Sequence, residues 1–142
     1  MSETRHVVLD ANILVRAVFG TRTRALVEKY AEEVHLLTPG RCVEDARAKI
    51  PEIAIRRRTA SREYFALLGQ IEQIVETVDR TAYARFEDAA RPRIEKRDPD
   101  DWPIVATALL MNAPIWTEDY DFFGCGVATW TCDRVEIYLR NN

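Results

Sequence analysis

A chain of 142 residues, 47% hydrophobic and 30% charged, has the length of one domain and enough apolar side chains for a real core. Its net charge of −3 excludes a broadly basic nucleic-acid binder and leaves room for a local basic face at most. Three cysteines, Cys42, Cys125 and Cys132, are odd in number and form no CxxC pair, which argues against a disulfide framework and against a thiolate zinc site.

No apolar run approaches the roughly 18 residues of a membrane span, and no signal-peptide pattern opens the chain. The expected setting is a reducing cytoplasm, with no membrane partner. Without repeats, low-complexity tracts or linkers, residues 1–142 read as a single domain.

In chain order, His6-Val7-Val8-Leu9 is a β-branched run that predicts a buried first strand ending in Asp10. Residues 11–19 (ANILVRAVF) predict a helix closed by Gly20. Asp10 thus falls at the carboxyl end of a strand. Asn12, two residues on, can orient a carboxylate or a bound water; both residues can equally cap the helix.

Residues 21–33 predict a second helix with Leu26, Val27, Tyr30 and Val34 on one face, and His35-Leu36-Leu37-Thr38 predicts a second strand. His6 and His35 lie at strand starts, away from the acidic ends, and read as structural. A third helix runs from Gly40 to about Ile50, where Pro51 is expected to bend or end it. Its acids are Glu44, at the border of the buried face, and Asp45, read as solvated.

Arg56-Arg57-Arg58 can track a phosphate backbone or complement the end of that helix. Residues 59–77 hold the most regular apolar stripe: Tyr64, Leu67, Leu68, Ile71, Ile74, Val75 and Val78, with Phe65 just off it. It reads first as core and second as a dimer face. Val75 to Val78 can run into a strand, and residues 81–94 predict a helix frayed by Pro92.

Asp98, Asp100 and Asp101 crowd the next helix start. Pro103 is cheap only in a first turn, so Asp100 is the expected N-cap, with Asp101 first in the helix. After the apolar run from Ile104 to Met111, Pro114-Ile115-Trp116 predicts a short strand leading to Thr117-Glu118-Asp119-Tyr120-Asp121. Val127 to Trp130 predicts a last strand, and residues 134–139 a short strand or helical turn. Alternating strands and helices give a three-layer α/β/α sandwich with a central, mainly parallel sheet.

In such a sheet, Asp10, Glu44, Asp101 and Asp119 share one edge, with Asp98 and Asp121 close by. Two carboxylates about 4 Å apart repel by about 4 kcal/mol at an effective dielectric near 20. Divalent cations remove that cost, and an all-oxygen set selects Mg²⁺ or Mn²⁺ over zinc. A site of this kind suits in-line phosphoryl displacement.

Three segments now resemble one family. Val7-Val8-Leu9-Asp10-Ala11-Asn12-Ile13-Leu14 looks like the opening of PIN-domain nucleases, which include the VapC-like toxins of toxin–antitoxin pairs. Asp101-Trp102-Pro103-Ile104-Val105-Ala106-Thr107-Ala108-Leu109 looks like their third-acid helix, and Thr117-Glu118-Asp119-Tyr120-Asp121-Phe122 like their fourth-acid strand end. The resemblance spans residues 6 to about 130.

It implies catalytic, metal-binding acids at Asp10, Glu44, Asp101 and Asp119. It also implies a further acid at Asp121, supporting polar groups at Asn12 and Thr117, and Asp98 as the rival of Asp101. The implied activity is Mg²⁺- or Mn²⁺-dependent endoribonucleolytic cleavage of RNA, with a homodimer and a small antitoxin as partners. The alternative is a catalytically silent PIN-like module that binds RNA or protein.

Two other acid-rich folds fit less well. A receiver domain needs an acid pair after the first strand and a late lysine, and no lysine follows Lys96. A dehalogenase-type phosphatase needs a second aspartate where Asn12 stands.

Overall fold

The computed structural model describes residues 4–140. Five parallel strands form one sheet in the order β3-β2-β1-β4-β5, with β1 Arg5–Leu9, β2 Val34–Pro39, β3 Glu76–Val78, β4 Ile115–Trp116 and β5 Thr129–Trp130. The register pairs Val7 with Leu36 and Leu9 with Trp116. Val7, Val8 and Leu9 have no solvent exposure, as expected for a central strand covered on both faces.

Helices α1 Ala11–Phe19, α2 Thr21–Tyr30, α3 Gly40–Arg56 and α4 Arg62–Ile74 pack together on one side, and α5 Arg80–Tyr83, α6 Glu87–Ile94 and α7 Trp102–Met111 form the other layer. Helix α8, Val135–Leu139, closes the chain; Glu136 on it accepts from Tyr30 Oη and Lys29 Nζ of α2. This is the three-layer sandwich expected from the alternation of elements. Residues 102 to 108 of α7 are all buried, because a helix apolar all round must be covered all round.

Several boundaries differ from expectation. Helix α3 does not stop at Pro51 but continues to Arg56. Proline removes one N–H bond, yet Ile50 and Ala54 on either side of it are both fully buried, and that anchorage carries the helix through. The chain turns away two residues past the helix end, at Arg58, which adopts a left-handed φ of 57°. There the Thr59 N–H reaches Ala54 O at 2.9 Å and the Arg58 N–H reaches Ile55 O at 3.0 Å, a Schellman closure.

Helix α4 is shorter than residues 59–77, since β3 takes up its tail. Its stripe is core: Leu68, Ile71 and Val75 are buried, and Tyr64, Leu67 and Ile74 pack against the core, while Phe65 is exposed. The 81–94 segment breaks at a 3₁₀ turn, Ala84–Phe86, not at Pro92, which sits inside α6. The start of α7 is also displaced. Asp101, not Asp100, is the residue before its first turn, with no side-chain cap bond, and Asp98 caps the preceding 3₁₀ turn over Pro99–Asp101 by accepting from the Asp100 N–H at 3.1 Å. Residues 134–139 resolve as helix and the last strand is only two residues long.

Sheet order reverses between β1 and β4. Connections from β1 run toward β2 on one side, while β4 lies on the other. The crevice at the carboxyl ends of these two strands is the topological switch point, where ligands bind in open α/β sheets.

Candidate active site

Asp10 follows β1 directly and caps α1, with Oδ1 accepting from the Ile13 N–H at 2.9 Å. Its Oδ2 accepts from Thr117 Oγ1, which follows β4, at 2.5 Å. Asp10 is only 2% exposed, and burial pushes its carboxyl up from 3.8 to about 6, with the Asp119 charge adding to the rise and the hydrogen bonds opposing it. The same Thr117 Oγ1 accepts from the Asp119 N–H at 2.9 Å. One buried threonine therefore ties the two strand-end aspartates together. Asp119 Oδ1 in turn accepts from the Asp121 N–H at 2.9 Å and opens a 3₁₀ turn over Tyr120–Phe122.

Asp101, half-buried at the last position of the turn before α7, is pushed up to about 7. Burial is the largest cause, followed by the neighbouring charges of Asp98, Asp119 and Asp10. Carboxylates from three chain segments thus meet here: the Asp119 charge acts on both Asp10 and Asp101, and the Asp10 charge on Asp101. Asp98 stands beside Asp101, with one carboxylate oxygen committed to the Asp100 N–H.

These residues wall a cleft of about 370 Å³. Asp10, Asn12, Asp98, Asp101 and Asp119 line it, as expected from the sequence, while Thr117 lies buried behind it. Asp121 is half-buried, outside the lining, and meets the site through its backbone N–H. Glu44 is exposed and does not line the cleft.

From α3 come Cys42, Asp45, Lys49 and Glu52, at spacings of three, four and three residues that form one helical face. Glu44 lies about 100° around the helix from Asp45, which takes it off that face. Asp45, read from sequence as solvated, is half-buried and paired with Arg41 Nε at 3.2 Å. The i, i+4, i+7 spacing of Asp45, Lys49 and Glu52 was the available signal, and it needed the rotational phase of α3 to be read.

Asp10, Asp101 and Asp119 offer only carboxylate oxygens, a donor set that fits a hard divalent cation. Among the described residues, no three His, Cys, Asp or Glu side chains already stand close enough to hold one ion together. The fit is thus one of donor chemistry and charge, with two carboxyls held above their ordinary range by burial and, after it, by neighbouring carboxylates.

A larger groove of about 630 Å³ adjoins the cleft along α1 and α3. Val15, Arg16, Phe19, Arg22, Ile53, Arg57, Glu118 and Asp133 are among the residues that line it. It mixes three arginines with two acids, Glu118 and Asp133, and lacks the set of aspartates that lines the smaller cleft. Of the arginine triplet, Arg57 enters this groove, its guanidinium 5.1 Å from the Phe19 ring centre, while Arg56 and Arg58 are exposed at the end of α3.

A family model described as PIN domain matches residues 8–140. No curated protein matches the chain by sequence. Among solved structures, VapBC2 from Rickettsia felis bound to a promoter DNA fragment is similar at 15% identity and a TM-score of 0.69, over 89% of this chain and 98% of that one. FitAcB from Neisseria gonorrhoeae is similar at 18% identity and a TM-score of 0.64, over 89% and 97%. A toxin–antitoxin complex from Klebsiella pneumoniae is similar at 19% identity and a TM-score of 0.61, over 89% and 97%. At these identities the likeness is one of fold.

Proposed function

The chain belongs to the PIN domain family, a family of nucleases that generally use divalent cations, and on that premise we propose that it is a Mg²⁺- or Mn²⁺-dependent endoribonuclease. The observation that carries this reading is the placement of Asp10, Asp101 and Asp119 in the wall of one cleft at the switch point, where burial first and neighbouring carboxylates second raise Asp10 and Asp101. A divalent cation, when bound there, supplies the Lewis-acid chemistry and the charge that hydrolysis of a phosphodiester needs.

The chain's own residues have separable tasks in this reading. Asp10, Asp101 and Asp119 hold the cation. Thr117 fixes the carboxylate of Asp10 and the backbone of Asp119, and Asp121 fixes the carboxylate of Asp119 through its N–H. Asn12 orients groups at the cleft mouth.

Asp98 and Asp101 both line the cleft, and Asp101 is taken as the third site acid because its carboxyl feels the charges of Asp119 and Asp10 as well as that of Asp98. Asp45 takes the fourth place expected for Glu44, because it faces the cleft and Glu44 does not. Lys49 is the one lysine or arginine in the cleft wall, placed to meet a phosphate oxygen. Arg57, with Arg16 and Arg22, offers further contacts for an RNA backbone along the adjoining groove, with Arg56 and Arg58 at its end.

The single domain over residues 1–142, a homodimer, a small antitoxin and a cytoplasmic setting complete the reading. The printed names of the VapBC2, FitAcB and Klebsiella complexes support the antitoxin.

The test is cleavage of a single-stranded RNA with Mn²⁺, with chelator, and with an Asp10→Asn variant. Metal-dependent cleavage lost in the variant supports the ribonuclease. Intact RNA under all conditions, with a folded wild type, leaves the silent RNA- or protein-binding module. A small reading frame adjacent to the gene, encoding a protein that co-purifies and inhibits, identifies the toxin.

A further inference from the structure

The turn after Asp119 presents an aromatic pair that the fold does not use. Phe122 and Cys125 in this segment are buried, at 1% and 2% exposure, and anchor it to the core. Tyr120 and Phe123 between and beside them are exposed, at 70% and 44%. Their rings meet edge to face, with centroids 5.2 Å apart and planes at 65°. Of the exposed large hydrophobic residues among those described, this is the one pair in ring contact, since Ile55, Phe65 and Ile137 lie on other elements.

The turn is held by its own backbone. The Phe122 N–H reaches Asp119 O, the Phe123 N–H reaches Tyr120 O at 3.0 Å, and the Cys125 N–H reaches Phe122 O at 3.2 Å. Arg93 on α6 donates to Cys125 O at 3.1 Å from the other layer. The two rings are therefore displayed from a fixed support, at one end covalently joined to a cleft acid.

We propose that Tyr120 and Phe123 form a stacking platform for an unpaired base of the RNA strand whose phosphodiester enters the acidic cleft. The proposal rests on the ribonuclease reading. Consecutive Cα atoms lie about 3.8 Å apart, so a ring on Tyr120 stands within a nucleotide's reach of a phosphate at Asp119. Neither ring lines the cleft, which fits a flanking base on the rim and not the nucleotide being cut.

Charge favours this occupant over backbone tracking. Beside the turn the cleft wall sets six acids against Lys49, and the arginines lie in the other groove, so a phosphate at this rim gains little attraction without the cation. A base brings its own π-face, and stacking holds it without positive charge. Size favours it over a protein partner. A specific protein interface needs roughly 1,000 Å² of complementary surface, whereas two adjoining rings match one base.

The experiment measures steady-state cleavage of a single-stranded RNA with Mn²⁺ by wild type, Tyr120→Ala, Phe123→Ala and Tyr120→Trp. Both positions are exposed, so the variants keep the core, and circular dichroism melting checks this. Each alanine variant is expected to raise KM about tenfold, the order of one lost base stack, and Tyr120→Trp to restore it. A second arm uses substrates with an abasic site at each position flanking the cut.

One abasic position is expected to cost wild type the same factor, and to cost Tyr120→Ala nothing further. If wild type cuts no RNA, the ribonuclease reading and the platform fall together. Wild-type KM values in both alanine variants, beside an active wild type, overturn the platform alone. So does a loss in the variants that adds in full to the abasic loss, since the rings then act only through the protein. Unchanged RNA kinetics with lost inhibition by a co-encoded protein would assign the rings to that protein partner and also overturn it.

Discussion

Replacing Asp10 by Asn should stabilise the metal-free protein at alkaline pH while disabling the proposed metal site. Asp10 is almost fully buried and its carboxyl stands at about 6, against an ordinary value of 3.8. A group whose folded value lies above its unfolded value holds its proton more tightly when folded. Stability therefore falls as pH rises through the window from about 4 to about 6, and the loss is complete above it.

At about 1.4 kcal/mol per pH unit, ionised Asp10 costs the fold about 3 kcal/mol at pH 7 and above. Asparagine removes this cost and keeps an acceptor for the Ile13 N–H. The bond from Thr117 to the charged carboxylate is already part of that shift, so its exchange for a neutral one carries no further loss. The gain is about 3 kcal/mol at pH 8, or roughly 7–11 °C in Tm for a chain of this length. Near pH 4 the gain vanishes, since Asp10 is then protonated in the folded state.

Calorimetry in chelator at pH 4.5 and pH 8 measures both ends of the window. In excess Mn²⁺ the order should reverse. At a thousandfold excess over its Kd, a cation that binds only the folded wild type adds about 4.1 kcal/mol, which the variant forgoes. An Asp10→Asn protein that melts below wild type at pH 8 in chelator would refute the reasoning. Asp10 would then be a helix cap whose charge the fold favours.

Three further outcomes are expected. Asp45→Asn should lower metal-dependent RNA cleavage at least tenfold while Glu44→Gln leaves it within twofold of wild type, and the reverse pattern in a cleavage assay would restore Glu44 to the site. Thr117→Val should leave the buried Asp10 carboxylate and the Asp119 N–H without their shared partner, costing about 2 kcal/mol in urea denaturation and weakening Mn²⁺ binding. Mn²⁺ affinity should rise steeply between pH 5 and pH 8, because Asp10 at about 6 and Asp101 at about 7 must lose their protons to bind. Titration calorimetry in two buffers of different ionisation enthalpy would show the released protons, and a flat affinity across this range would remove both residues from the ligand set.

Much of this architecture is legible in the chain. Strand-forming runs at 6–9, 35–38 and 114–116, each bounded by a turn or helix signal, place Asp10 and Asp119 at strand ends, because a short β-branched or aromatic run among helical segments has few other destinations. Asp10, Asn12, Asp98, Asp101 and Asp119 all reach the cleft expected of them. The sequence by itself determined which residues carry charge and which elements end beside one another, since both follow from local pattern and the handedness of β-α-β connections.

What it did not determine is rotational phase and anchorage. Glu44 and Asp45 are chemically near-equivalent neighbours, and only the packing of Cys42, Ala46 and Ile50 into the core turns Asp45 toward the cleft and Glu44 away. Pro51 reads locally as a stop, and only the buried Ile50 and Ala54 beside it let α3 continue to the Arg58 closure. The raised pKa values of Asp10 and Asp101 belong to no segment of the chain. They arise where three segments meet and burial withdraws the carboxyls from water, almost wholly for Asp10 and in part for Asp101, and tertiary structure alone supplies both the meeting and the burial.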